Sequence, residues 1–216
     1  MLPYVCMLLL ALFGAAAGVA ADAAHPGAGL SFLERTLSII RLYTRQTTGF
    51  VADVTLTQRV PGLTQSVKSE CHLSLVSDGV LIRDIRSPFP YVVIVSNDMV
   101  LTLFTSTNER DERPLLPNET RANFMLGIPD VDMMRDYELT TRIDGDLQVL
   151  MGAIRRDLRY ELARDVPGNA HRVISFSVWV HPYQRRIVRT QRVTLSSEET
   201  TCDFRNQNLA LQGTPW

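Results

Sequence analysis

The feature that most constrains this chain is a run of period-two alternation, broken by turn residues, over residues 70–104. Cys71, Leu73 and Leu75 alternate with Glu70, His72 and Ser74, and Met99, Leu101 and Leu103 repeat the pattern. Successive side chains leave a strand on opposite faces, so this spacing predicts strands with one apolar face. Asp78-Gly79 supplies the positive backbone angles of a hairpin, Ser87-Pro88 with Pro90 makes a corner, and Asn97-Asp98 supports a second tight turn. Short strands joined by tight turns pair with their sequence neighbours, which gives an antiparallel meander.

The flanking sequence extends the same logic. Ser31 and Glu34 have the spacing of a capping box, and Leu33, Leu37 and Ile40 recur at helical spacing, so a helix is expected over residues 32–43. Phe50, Ala52, Val54 and Leu56 then share one face of a strand. Residues 108–113, with Pro114 and Pro117, read as a charged loop, and Asn118 as the cap of a short helix ending at Gly127. A second helical piece is expected over residues 131–136. Strands resume over 137–143, and the alternation of Leu158, Tyr160 and Leu162 predicts another; residues 147–156 fit strand or helix equally. Three closing strands are expected over 186–193, 200–204 and 208–211, after one over 173–180 in which Ile174, Phe176, Val178 and Val180 share a face. The fold class is therefore mainly β with a few helices, an α+β chain built on an antiparallel sheet.

Residues 7–18 form an apolar stretch of signal-peptide length, too short to span a bilayer, and Gly18-Val19-Ala20 and Ala21-Asp22-Ala23 satisfy the small-x-small cleavage rule. Residues 1–23 are thus expected to be a removed signal and 24–216 one exported, soluble domain. A net charge of -1 gives no bulk attraction to nucleic acid or to an anionic membrane. Cys71 and Cys202 remain after processing; an oxidising compartment permits a disulfide between them, and two separate buried thiols are the alternative. The four histidines are scattered, with no metal-ligand spacing, and no Gly-x-Ser-x-Gly, His-Glu-x-x-His or P-loop occurs. Neither an enzyme, a metal nor a cofactor is expected.

Three local patterns carry a resemblance. Gly79 and Pro88 flank Val80-Leu81-Ile82-Arg83 at the spacing of a Pro-Gly-x-Phe-Arg-Trp…Pro segment. Ile94-Val95-Ser96-Asn97-Asp98, followed by Leu101-Thr102-Leu103-Phe104, is similar to Val-Ser-Asp-Gly…Leu-Trp-x-Tyr. Residues 174–182, with Ile187-Val188-Arg189 and Asp203-Phe204-Arg205-Asn206 behind them, resemble the long closing strands of the same proteins. Together they resemble the LolA family of periplasmic lipoprotein carriers across nearly all of the mature chain.

The resemblance implies an incomplete, strongly curved antiparallel half-barrel covered by a lid of short helices, and a periplasmic carrier that binds lipoprotein acyl chains or another lipid between an inner-membrane donor and an outer-membrane acceptor. Membrane contact would be transient at most. The alternative is a lipid-binding or lipoprotein-sensing scaffold with the same fold and a packed cavity. On the sheet, the implied lining is Ala52, Val54 and Leu56, then Leu73, Leu75, Leu101 and Leu103, then Phe176 and Val178. From the helices come Leu33, Leu37, Phe124 and Leu126. In that family an arginine latches the lid; Ile82-Arg83 stands where the family has Arg-Trp, so Arg83 is the latch candidate if the register shifts by one. Thr102 and Phe104 depart from the family's Trp and Tyr.

Overall fold

The computed structural model describes residues 31–76, 79–116, 119–162 and 171–211. The expected export signal and the Asn118 cap lie outside them. The first element, α1 (Phe32–Arg41), begins at the anticipated capping box. The Ser31 hydroxyl accepts from the Glu34 N–H at 3.2 Å and the Glu34 carboxylate accepts from the Ser31 N–H at 2.8 Å, satisfying two amides that helix geometry leaves free. A π-helical turn (Leu42–Gln46) then leads into the sheet, and the Thr47 hydroxyl donates to the Leu42 carbonyl at 2.7 Å across the junction.

Six strands follow: β1 (Thr47–Arg59), β2 (Val67–Leu75), β3 (Leu81–Ser87), β4 (Tyr91–Val95), β5 (Met99–Phe104) and β6 (Glu109–Pro114). Helix α2 (Arg121–Leu126) and a 3-10 turn (Val131–Asp136) connect to β7 (Tyr137–Asp144), β8 (Leu147–Ile154), α3 (Arg156–Leu162), β9 (Val173–His181), β10 (Arg186–Thr194) and β11 (Glu199–Leu211). All eleven strands form one antiparallel sheet in the order β6-β5-β4-β3-β2-β1-β11-β10-β9-β8-β7. The chain thus builds one meander outward from β1, crosses to the far edge, and meanders back until β11 pairs with β1.

The sheet does not close, because β6 and β7 are both edges. Flat, those edges would lie about 48 Å apart, ten spacings of about 4.8 Å. Yet Arg113 of β6 and Tyr137 of β7 line the same cavity. The sheet is therefore rolled into an incomplete barrel with the helices over its concave face, the architecture expected from sequence. Edge β6 reads Glu-Arg-Asp-Glu-Arg-Pro and is mostly exposed, a charged border that discourages pairing with another chain.

The concave face is packed over most of its width. Phe50, Ala52, Val54 and Leu56 of β1 and Cys71, Leu73 and Leu75 of β2 are all buried in one cluster with Ile39, Ile40 and Tyr43, whose ring meets that of Phe50 edge-on at 5.5 Å. The Tyr43 hydroxyl donates to the Gln207 side chain at 2.7 Å and accepts the Ile187 amide at 3.3 Å, so its polar end is satisfied. On the far side Gly152 stands opposite Phe176, whose ring lies edge-on to Tyr137 at 5.2 Å. A Cβ at Gly152 would fall 2.3 Å from that ring.

Several sequence expectations are corrected. Residues 108–113 are largely strand β6 rather than loop, since the ladder Leu101–Glu112 and Leu103–Arg110 satisfies their backbone despite the charge. Residues 158–162 belong to helix α3, not a strand; Leu158 and Leu162 are also four apart, and the helical period is the one the chain adopts. Residues 147–154 are strand β8, and the two closing segments at 200–204 and 208–211 are one strand, β11. The cap of α2 is Thr120, whose side chain accepts from the Asn123 amide. In β5 the phase is opposite: Val100 pairs with Val95 and faces inward, while Leu101 and Leu103 pair with Ile94 and Val92 on the convex face. Both phases of β5 are apolar, so the pattern alone did not choose, and the Ser96–Met99 turn fixed the register.

Cys71 and Cys202 are free buried thiols, not a disulfide. They sit on β2 and β11, the strands flanking β1, opposite Val54 and Leu56 respectively. Two strand spacings, roughly 9.5 Å, exceed the reach of a disulfide. Burial pushes both thiols up from their ordinary pKa. Both should therefore resist a thiol reagent in the native protein and react on addition of denaturant without reductant, as read by labelling and mass; protection persisting in denaturant would point to a bridge. Gly152→Ala should lower thermal stability by about 1–3 kcal/mol through overpacking against Phe176, as read by calorimetry.

Candidate ligand-binding cavity

The gap in this packing lies where α2, the 3-10 turn and the β6–α2 connection pass over the sheet. A cavity of about 610 Å³ opens there. Its apolar walls come from Leu116, Phe124, Pro129, Met133, Tyr137 and Val173. Phe124 is presented by α2, which its capping box starts at Thr120 and Gly127 ends in the left-handed conformation. Two anchors hold this helix on the sheet: the Arg121 guanidinium donates to the Gly79 carbonyl at 3.1 Å, and the Thr190 hydroxyl of β10 donates to the Leu126 carbonyl at 2.5 Å. Gly79, at φ +77°, is favoured by the left-handed turn, and a Cβ there would also displace Arg121 Nη1, 2.7 Å away.

Four arginines line the cavity. Arg113 makes a bidentate pair with Glu119, at 2.6 and 2.8 Å. Burial works to raise the Glu119 carboxyl, but its bonds from Arg113 and the Leu116 amide outweigh it and hold the group below the usual carboxylate range. Arg172 approaches Asp136 at 3.8 Å. Arg83 of β3 and Arg192 of β10 make no ion pair with a described residue. The Nε of Arg192 is shut off from solvent and has no hydrogen-bond partner among the described residues. Burial lowers this guanidinium's pKa; Cys202 opposes that, and the positive charge of Arg83 adds to it. Burial likewise pushes the Tyr137 phenol up to about 12, and its hydroxyl donates to the Val173 carbonyl at 2.7 Å.

Of the residues the sequence nominated as lining, Phe124 borders the cavity. Ala52, Val54, Leu56, Leu73, Leu75, Leu126, Phe176 and Val178 are buried core, Leu33 and Leu37 pack against that core, and Leu101 and Leu103 lie outside. Arg83 faces the cavity rather than the lid helices' backbone; the residue that ties α2 to the sheet is Arg121. Sequence reading missed Arg192, Met133 and Tyr137. Arg192 carried a weak signal, since Thr190, Arg192 and Thr194 put polar groups on the inward phase of β10.

No protein-family model matches the chain, and no curated protein does. Solved structures of similar fold include an uncharacterized conserved protein from Thermus thermophilus, at 9% identity over 84% of this chain and 86% of that one, with a TM-score of 0.46. A LolA superfamily protein from Nitrosomonas europaea has 11% identity over 87% and 96%, TM-score 0.40. The Mycobacterium tuberculosis lipoprotein LppX has 13% identity over 83% and 98%, TM-score 0.42. Likeness at this level concerns the fold and carries no functional information.

The Arg113–Glu119 pair gives a pH signature. A carboxyl with a depressed folded pKa contributes stability above its unfolded pKa and loses it as pH falls through the folded value. Glu119→Gln should thus cost ~0.5–1 kcal/mol at pH 7, and in thermal unfolding the difference from the parent protein should shrink as pH falls below the ordinary carboxylate range.

Proposed function

We propose that the protein is a non-enzymatic carrier that takes an acyl chain, from a lipoprotein or a free lipid, into this cavity and moves it through an aqueous compartment. The observation that carries the reading is the cavity: about 610 Å³, with an apolar wall of Leu116, Phe124, Pro129, Met133, Tyr137 and Val173 beside its polar groups. That volume lies within the roughly 300–1,000 Å³ common for ligand sites. Each methylene moved from water into it contributes about 0.8 kcal/mol, so a chain of moderate length is held without any covalent chemistry. An acceptor that competes for the chain is then enough for release. Among the described residues no helix is long and apolar enough to cross a membrane. The export signal expected in residues 1–23 and the LolA-like sequence motifs support a periplasmic setting with a membrane donor and acceptor.

A scaffold reading has one observation in its favour, the dense packing of the concave face under α1. A charge at different depths separates the two. Phe124→Arg, at the cavity wall, should leave cooperative unfolding intact and abolish uptake of a fluorescent fatty acid. Val178→Glu, at a fully buried position, should instead unfold the domain, because an unpaired buried charge costs several kcal/mol. Parent protein that takes up no fatty acid and co-purifies with no lipid would favour the scaffold.

A further inference from the structure

We infer that the cavity takes an amphipathic anion: an acyl chain along Phe124, Met133 and Val173 whose carboxylate or phosphate head sits between Arg83 and Arg192. This inference rests on the acyl-binding reading and adds the chemistry of the head group. The charge arrangement carries it. Two of the cavity's arginines have carboxylate partners, Glu119 for Arg113 and Asp136 for Arg172. The other two, from opposite sides of the rolled sheet, have none among the described residues and repel one another. Glu198 attracts Arg192 without forming an ion pair, and its Oε1 accepts from the Gln58 amide and the Thr200 hydroxyl, each at 3.4 Å. The nearby thiols offer no countercharge either, since burial raises the pKa of Cys71 and Cys202 and keeps them neutral.

A buried donor without an acceptor and two like charges without an ion-pair partner among the described residues cost stability, and a purely apolar ligand would relieve neither. An oxyanion relieves both. The guanidinium fork matches carboxylate and phosphate oxygens, and the bond is strong in a site poor in water. The apolar wall of Phe124, Met133 and Val173 then selects anions that carry a chain over free inorganic ones.

The test is calorimetric titration of the full chain with dodecanoate, dodecyl phosphate, dodecanol and inorganic phosphate, the first three below their aggregation limits. The parent protein should bind the two dodecyl anions at least tenfold more tightly than dodecanol, and the tighter of the two identifies the head group. Arg192→Gln and Arg83→Gln should each weaken anion binding about tenfold and leave dodecanol unchanged. Without ligand, Arg192→Gln should also unfold at a higher temperature than the parent, a gain that a structural arginine would not give. If either variant fails to fold, the other decides. Equal affinity for dodecanol and the anions would overturn the head-group inference and leave the acyl reading standing. Inorganic phosphate binding as tightly as dodecyl phosphate would overturn it in favour of a free oxyanion site. Binding of none of the four would overturn the acyl reading itself.

Discussion

The pairing of β1 with β11 is the contact on which the rest of the structure depends. It joins Thr47–Arg59 to Glu199–Leu211, the first strand of the sheet to the last, and so fuses two meanders that would otherwise be separate small sheets. Isolated sheets of five or six strands with one apolar face would leave that face to water. Fused, they roll far enough for β6 and β7 to border one cavity, and two short helices with a few turns suffice to cover the interior. Loop-closure entropy for such a distant pairing is repaid by the long ladder and by Val54, Leu56, Cys202 and Phe204, which are buried along it.

Packing over the concave face is uneven, and the unevenness is systematic. Under α1 the interior is apolar, and its buried hydroxyls and amides are paired; Thr36 donates to Gln148 at 3.1 Å, and Tyr43 joins Gln207 to Ile187. Beyond α2 the inward phase of β10 turns polar, with Thr190, Arg192 and Thr194, and β3 contributes Arg83. A core built only for stability would fill these positions with aliphatic side chains of similar volume, which are often neutral or better in place of buried charges. Local departure from the rule that buried polar groups find partners is what makes this region the candidate site.

The anchoring of α2 explains how such a site stays formed. Arg121 on Gly79 and Thr190 on Leu126 hold a helix of only six residues, too short to be stable alone, between β10 and the β2–β3 turn. These hydrogen bonds add to the burial of Ala122, Met125 and Leu126, which seats the helix on the core and leaves Phe124 at the cavity wall.

Turn chemistry and period two were legible in the chain itself: the Ser31–Glu34 box, the Gly79 hairpin, the Asn97-Asp98 turn and the inward faces of β1 and β2 follow from local geometry and single-strand alternation. Where both phases of a segment were apolar, as in β5, or where two periods fitted, as in residues 158–162, only neighbouring strands and turns selected one. The cavity was not legible at all. A buried alternating face reads the same whether it meets a helix or a space, and the approach of Arg83 to Arg192 depends on how far the sheet rolls. Local geometry is written residue by residue and was determined by the sequence; separation across the rolled sheet is set by the sum of strand twists and by the β1–β11 join, and that the tertiary structure alone decided.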